Sequence, residues 1–319
     1  MPQIVQFTHP GSEHGPDSIR GNHKSWNDGP HRRKFMRADG DYIAGNGRLG
    51  TGKLLFWGEW EPPSDMQELA TRPDDLHPRW LHSPYLPSVI PAQGQSAACS
   101  PKAASKPSCS PTSCASSLFQ NTDTFVFGDR FKYFVCKQWK RATGRATKLS
   151  RLDPGSMILF GSTHGTGSDA FFQLDPVFVV ESCLEYSPSN PAKLPPHPAV
   201  TDDYLKAAFR MAFHKSDPDI PCDLTLRLYF GATASNRVNG MYSFAPARLA
   251  GQATEGFSRV PLKDLQLSNS QSYLTNNLNS APRVTDTSDT EVFQAWKHVR
   301  DLSRKHGCLE GVRFDYSKK

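Results

Sequence analysis

The chain has 319 residues, a formal net charge of +6 and a hydrophobic share of 37 %. This length fits one large domain or two ordinary ones, and the mild positive charge permits a partner with phosphate groups without being typical of nucleic-acid-binding proteins. No apolar run approaches the roughly 20 residues of a membrane-spanning helix, and the first residues lack the charged and apolar regions of a secretory signal. We therefore expect a cytoplasmic protein without a membrane partner.

Several segments have the alternating or continuous apolar pattern of β-strands. In chain order they are residues 4–8, 53–60, 124–136, 157–162, 171–181 and 224–230, with a last short strand around Val312, Phe314 and Tyr316. Gly128-Asp129 predicts a hairpin or a bulge inside the third of them. The fourth and fifth are separated by a glycine-containing turn and are predicted to pair.

Two segments have the periodicity of amphipathic helices. The first spans residues 202–214, where Thr201 can cap the helix and two aspartates complement the positive end of its dipole. The second spans residues 289–306, where Ser288 and Glu291 have the spacing of a capping box and Gly307 ends the pattern. Many strands with two amphipathic helices predict an α+β fold with a β-rich core, or a β-barrel decorated with helices.

One segment divides the chain. Residues 87–117 are mostly Ser, Pro and Ala and contain no acidic residue. Such a composition buries too little apolar surface to offset the entropy of ordering, so we predict a disordered insertion or linker. The α+β core then consists of residues 1–86, which include a polar site loop, and residues 118–319, which include both helices.

The cysteines do not predict a metal site. There are seven, none in a Cys-x-x-Cys pair, and Cys99, Cys109 and Cys114 lie in the low-complexity segment. The others are scattered near apolar residues, which favours buried reduced thiols over a structural zinc.

Residues 7–37 carry the densest set of chemically active side chains. The stretch has almost no apolar residue between Phe7 and Phe35, so we predict a long polar loop outside the core, which is typical of a functional or disordered segment. His9, Glu13, His14 and His23 are suitable metal ligands. Their spacing is not that of a helical His-Glu-x-x-His site, and a loop site would need further ligands, so a metal and any cofactor stay unassigned.

The same loop also fits a phosphate or nucleotide clamp. Arg32, Arg33 and Lys34 supply charge, His23 and Asn27 supply polar contacts, and Trp26 could stack on a base. The alternative is a solvated basic loop without a ligand.

Two carboxylates outside the loop are acid–base candidates. Glu59 lies between Trp57 and Trp60 on a half-buried strand, where its pKa would rise; a surface glutamate beside packed tryptophans is the alternative. Asp123 precedes the strand at 124–136, either as a turn residue or as a carboxylate that enters a site from the sheet edge. Together with His14 these are the catalytic candidates. No Walker, dinucleotide-binding or nucleophile-elbow motif occurs.

Two resemblances bear on function. In residues 147–182 the succession Leu152, Pro154-Gly155, the apolar run 157–160 and the strand 172–181 resembles part of the PUA-like barrels of the EVE and ASCH branches, although Ser156 and Gly161 stand where that pattern has Asp and Tyr. The resemblance implies a small barrel that holds a nucleobase or a nucleic-acid end. The strings FTHPGSEH, WNDGPHRRKF, LLFWGEWEPPS, QNTDTFVFGDRFKYFVCKQ and YFGAT…NGMYSFAPA also resemble an uncharacterised prokaryotic family associated with nucleotide modification or phage defence.

These observations lead to three hypotheses. The first is an enzyme, or an enzyme-like domain, that acts on a nucleotide or a modified nucleic-acid base. The second is a non-catalytic reader of nucleic acid or of a modified base, in which Trp26, Trp57 and Trp60 form a cage and the cations hold phosphates. The third is an interaction protein in which residues 87–117 serve as a tether.

Overall fold

The computed structural model describes residues 1–9, 11, 13, 33–62, 64–69, 76–86, 122–140, 142–188, 190–209, 224–252, 256–263, 265 and 282–319. The low-complexity segment 87–117 lies outside these residues, as do residues 210–214 of the first predicted helix.

The described elements are mainly strands. The strands are β1 (Gln3–Thr8), β2 (Lys34–Ile43), β3 (Leu49–Gly58), β4 (Ser64–Glu68), β5 (Trp80–Leu86), β6 (Lys132–Tyr133), β7 (Trp139–Lys140), β8 (Arg145–Ala146), β9 (Met157–His164), β10 (Phe171–Tyr186), β11 (Leu226–Gly231), β12 (Ala245–Leu249), β13 (Val260–Leu262), β14 (Arg283–Asp286), β15 (Leu309–Asp315) and β16 (Ser317–Lys318). The helices are α1 (Asp202–Tyr204), which continues as a wider turn over Leu205–Phe209, and α2 (Asp289–Lys305). Short 3-10 turns cover Lys148–Arg151, Gly167–Asp169, Pro191–Lys193 and Ala250–Gln252.

The strands form two large sheets and one small hairpin. The first sheet has the order β14-β1-β9-β10-β11-β6, and β13 also pairs with β10. The second has the order β15-β12-β3-β2-β5-β16, and β4 pairs with β5. Because β15 also pairs with β2, the strands β2, β3, β12 and β15 pair in a closed circuit. The β-rich α+β fold is thus confirmed, whereas the PUA-like barrel stays a prediction.

The first sheet lies between two apolar cores, which explains its continuous apolar strands. Along β9, Ile158 and Phe160 belong to one core, whereas Met157 and Leu159 belong to the other. Successive side chains of a strand point to opposite faces, so a strand covered on both faces needs apolar residues at every position. The predicted pairing of this strand with the next one is confirmed, since β9 and β10 are antiparallel neighbours.

Helix α2 forms as predicted. Ser288 and Glu291 make both hydrogen bonds of the capping box, and Gly307 at the end has a φ of 74°. Its buried face packs on the second core through Val292, Ala295, Trp296 and Val299. Within the described residues, no helix is both long and apolar enough to cross a bilayer.

Within the segment 124–136 the chain folds back at Gly128, in agreement with the hairpin predicted at Gly128-Asp129, and Phe125 and Lys132 exchange backbone hydrogen bonds. Two other predictions from sequence need correction. Of that segment, only Lys132–Tyr133 joins the sheet. The polar segment 7–37 does not lie outside the core throughout. Its last residues begin β2, and both Arg33 and Lys34 are buried.

Candidate active site

A cluster of buried charged residues lies where the two sheets meet. Strands β2 and β3 are antiparallel and pair Lys34 with Gly58, so Arg33, just before β2, comes opposite Glu59, just after β3. Strands β10 and β13 pair Leu174 with Val260, so the neighbouring positions Asp175 and Arg259 also come together. His9 follows β1, and its backbone N–H donates to the Gly161 carbonyl of β9 at 2.8 Å. Strand register thus gathers charges from five distant parts of the chain.

Arg33 is the centre of this cluster. Its Nη2 donates to Glu59 Oε2 at 2.7 Å and its Nη1 donates to Asp175 Oδ2 at 3.1 Å. All three side chains are buried. Burial alone would lower the pKa of Arg33, but the negative charges of Asp175 and Glu59 outweigh it and the pKa ends above its ordinary value. Burial raises the pKa of Asp175 in spite of two arginines. The guanidinium is therefore the shared hydrogen-bond donor and counter-charge of both carboxylates.

His9 stands between a carboxylate and a thiol. Its Nδ1 lies 3.0 Å from Glu59 Oε2 and its Nε2 lies 3.3 Å from Cys136 Sγ. The imidazole is buried and Cys136 is half-buried. In nucleophilic catalysis a nucleophile lies within hydrogen-bond reach of a base, and a third group orients that base. Cys136, His9 and Glu59 form such a triad.

The proton positions in the triad follow from its neighbours. Burial, and then the charges of Asp123 and Glu59, raise the pKa of Cys136, so the resting sulfur carries its proton. Arg33 Nη2 lies 2.6 Å from His9 Nδ1 and can only donate, so Nδ1 accepts and the proton of a neutral ring sits on Nε2. His9 can take the thiol proton only in the other tautomer, in which Nδ1 is protonated and donates to Glu59 and Arg33 has withdrawn from Nδ1.

Asp123 holds the turn that carries Cys136. Its carboxylate accepts from the backbone N–H groups of Phe134, Val135 and Cys136 at 3.1, 3.0 and 2.7 Å, and its own N–H lies 3.3 Å from Glu59 Oε1. Burial raises the pKa of Asp123 to about 7 against the opposing effect of those three donors. Sequence reasoning selected Asp123 as an acid or base. The contacts make it a positioning residue for the thiol.

The same turn is tied to β1 by a lysine. Lys137 has a φ of 59°, an uncommon conformation for a residue other than glycine. Its Nζ donates to the Thr8 carbonyl at 2.6 Å and lies 5.1 Å from the centre of the Phe7 ring. The lysine therefore clamps the strand that ends at His9 to the turn that presents Cys136.

Arg259 and Trp57 close the inner side of the cluster. Arg259 donates to Ser162 Oγ at 2.6 Å, Gln173 Oε1 at 2.5 Å and the Gly11 carbonyl at 2.8 Å, and its guanidinium carbon lies 5.2 Å from the Trp57 ring. Burial lowers the pKa of Arg259 to about 10. Trp57 is itself buried and donates to the Phe257 carbonyl at 2.8 Å.

The cluster also holds polar atoms that packing does not satisfy. Asp175 Oδ1, Arg33 Nε and Arg259 Nε have no hydrogen-bond partner among the described residues. Each buried polar atom left in this way costs about 1–3 kcal/mol, and native proteins have few of them.

Compared with family models, curated proteins and solved structures, the chain gives no match. Both resemblances noted in the sequence therefore stay predictions, and function is inferred from the side chains of the cluster.

The remaining candidates from sequence lie apart from the triad or outside the described residues. Glu13 accepts from the backbone N–H groups of Arg79 and Trp80 at 2.8–3.0 Å, burial raises its pKa, and it anchors the chain rather than facing Cys136. Trp60, like Trp57, is a buried core residue, so neither indole is open to a base as the reader hypothesis requires. The other candidates, His14, His23, Trp26, Asn27 and Arg32, lie outside the described residues. Within the described ranges no group of three or more His, Cys, Asp and Glu side chains could hold a metal ion.

Three residues of the cluster were not selected from sequence. Cys136 lies in a segment with the pattern of a strand and was interpreted as an inert buried thiol. Asp175 carried a usable signal, because a carboxylate inside the apolar run FFQLDPVFVV must be paired if that run is buried. Arg259 has no local signal, since only the pairing of β13 with β10 brings it there.

Proposed function

We propose that this protein is an enzyme that acts on a nucleotide or on a modified nucleic-acid base, with Cys136 as the nucleophile. The observation that carries the proposal is the position of His9, within 3.3 Å of the Cys136 thiol on one side and 3.0 Å of the Glu59 carboxylate on the other.

The chemistry follows from these contacts. Cys136 Sγ forms a bond to an electrophilic carbon of the substrate while its proton passes to His9 Nε2. In the tautomer protonated on Nδ1, with Arg33 withdrawn from that nitrogen, Glu59 accepts from Nδ1 and stabilises the imidazolium. His9 then returns the proton to the leaving group, or to the atom that received the electron pair. Arg259, Asp175 and Asp123 keep the reacting groups in place.

A basic cleft, one wall of which is hydrogen-bonded to Gln138 beyond the turn of Cys136, supports a substrate with phosphate groups. The cleft has a volume of about 590 Å³ and is lined by Arg145, Arg151 and Arg227 among others. Arg227 pairs with Glu185 at 3.2 Å, whereas Arg145 and Arg151 are exposed and form no ion pair with the described residues. Gln138, two positions after Cys136, exchanges hydrogen bonds with the backbone of Arg227 at 2.7 and 3.0 Å. The turn that carries the nucleophile is thus joined to a wall of the cleft.

The first test of the proposal measures the reactivity of the thiol. We expect His9→Ala to slow the reaction of Cys136 with iodoacetamide by about a hundredfold or more, the usual contribution of a general base. The reaction is followed by peptide mass spectrometry. Cys183 is the matched control because it is also half-buried with a raised pKa and lies beside Arg227 and Glu185, away from the imidazole.

The direction of the change in labelling rate distinguishes a variant that lacks the base from a variant that has unfolded. A variant that unfolds exposes its thiols, so its labelling accelerates at Cys183 and at the buried Cys308. A variant that only lacks its base slows at Cys136 alone. Equal rates for Cys136 in the wild type and in His9→Ala would overturn the triad.

The second test concerns the substrate class. We expect Arg145→Ser and Arg151→Ser each to weaken binding of AMP and of a 5′-phosphorylated DNA oligonucleotide roughly tenfold, because a charged hydrogen bond contributes about 1.5–3 kcal/mol. Each substitution should also reduce the salt slope of oligonucleotide binding by about one, since one phosphate fewer is neutralised by the protein. Fluorescence titration measures both quantities. Lys53→Ser, which removes an exposed charge from β3, is the control and should change neither the affinity nor the salt slope. If the arginine variants bind as tightly as Lys53→Ser, the cleft does not hold phosphates.

A further inference from the structure

A lysine side chain is buried at the edge of the first sheet, and the residues that the structure describes include no carboxylate paired with it. Lys132 of β6 is 3 % exposed. It lines a cavity of about 220 Å³, together with Phe125, Phe127, Gly128, Asp129, Ala199, Thr201, Asp203, Asp315, Tyr316 and Lys318. A buried lysine usually pairs with an acid, since an isolated ammonium is costly to remove from water.

The contacts of the Lys132 amine are weak for a group that carries a full positive charge. Nζ donates to the Arg130 carbonyl at 3.0 Å and lies 5.5 and 5.1 Å from the ring centres of Phe125 and Tyr204. Among the described residues no carboxylate oxygen is within 4.0 Å of it. Burial lowers the pKa of Lys132 to about 7, with Asp129 opposing the change. Half of the amine is therefore uncharged near neutral pH, and an uncharged amine is a nucleophile.

We propose that Lys132 is a reactive amine that forms an imine with a small aldehyde or ketone bound in this cavity. The nitrogen lone pair attacks the carbonyl carbon and gives a carbinolamine. The carbonyl oxygen takes up one proton from the amine and one from solvent and leaves as water. The product is a protonated imine on Lys132, and no oxidant or reductant is consumed.

The walls define the class of ligand. Phe125, Phe127 and Tyr316 line it with aromatic rings, which favour a planar apolar body. Asp129 adds negative charge, whereas Asp203 is paired with Lys318 at 2.6 Å and Asp315 with Arg313 at 2.9 Å. The cavity therefore favours a neutral or cationic aromatic carbonyl compound and disfavours an anionic one.

The test is reductive trapping with benzaldehyde and cyanoborohydride at pH 7, read by peptide mass spectrometry. An ordinary lysine with a pKa near 10.4 is uncharged in roughly one molecule in a few thousand at this pH, against about half for Lys132. We expect Lys132 to be labelled on the order of a hundredfold faster than the exposed Lys53, allowing for the lower nucleophilicity of a weaker base. Labelling with 4-carboxybenzaldehyde, an anionic probe of similar size, should be at least tenfold slower.

Two variants keep the proposal falsifiable. Lys132→Met replaces the side chain by an apolar one, so the protein should fold and lose the label at this position. Cys136→Ser should leave the labelling of Lys132 unchanged, which separates this site from the proposed triad. Labelling of Lys132 no faster than that of Lys53, or only above about pH 9, would show a charged or inaccessible amine and would overturn the proposal.

Discussion

Arg33→Met is expected to lower the free energy of unfolding by about 3–5 kcal/mol, the usual cost of removing one partner from a buried ion pair. Methionine fills much of the same volume, so the loss is mainly electrostatic. Arg33 is the closest cation to both Glu59 and Asp175, and all three side chains are 2 % exposed or less. Urea denaturation followed by tryptophan fluorescence measures the change.

The pH dependence of this loss identifies its cause. Without the guanidinium, the pKa of Asp175, which burial already raises, rises further, so the native variant binds a proton that its unfolded chain has released. Stability then falls as pH rises, and the deficit relative to wild type should be larger at pH 8 than at pH 5. Arg79→Met is the matched control, because Arg79 pairs with Glu68 at 2.9 Å on the surface, where an ion pair contributes about 0–1 kcal/mol. If Arg33→Met loses as little stability as Arg79→Met, or if its loss does not change with pH, Arg33 does not have this central role.

Local patterns were sufficient for the parts of the fold that local interactions determine. The capping box at Ser288 and the apolar stripe through Trp296 define α2 because both depend on residues three or four apart. The apolar runs of β9 and β10 were readable for the same reason. The start of β2 was not, since Arg33 and Lys34 are buried by partners that lie far away in sequence.

The sequence was sufficient to name several residues of the candidate site but not to predict that they come together. His9, Arg33, Glu59 and Asp123 were all candidates from sequence, and the structure places them in one cluster. What joins them is strand register: Arg33 comes opposite Glu59 only because Lys34 pairs with Gly58. Cys136 was overlooked because FKYFVC has the pattern of a strand, whereas the N–H groups of its last three residues bind the Asp123 carboxylate instead of a neighbouring strand.

Glu59→Gln is expected to slow acyl transfer to Cys136 by roughly 10²–10⁴-fold, and Cys136→Ser to abolish it. The probe is p-nitrophenyl acetate, which reports on a nucleophile whatever its natural substrate. Sγ bonds to the acetyl carbon, p-nitrophenolate leaves with the electron pair, and His9 holds the thiol proton. The burst of p-nitrophenolate and the acetylated peptide give the rate and the site.

The glutamine variant is informative because it fixes one tautomer of His9 with little change in shape. An amide N–H in place of Glu59 Oε2 would donate to Nδ1 even when Arg33 has withdrawn, and the ring proton would then stay on Nε2, where it prevents His9 from accepting the thiol proton. Glu61→Gln is the matched control, since Glu61 is also buried on the same stretch, two positions beyond the carboxylate that orients the imidazole. If both variants react alike, Glu59 does not orient the base. If the wild type gives no burst that depends on Cys136, the cluster is not catalytic, and a phosphate-binding reader becomes the better account of the basic cleft.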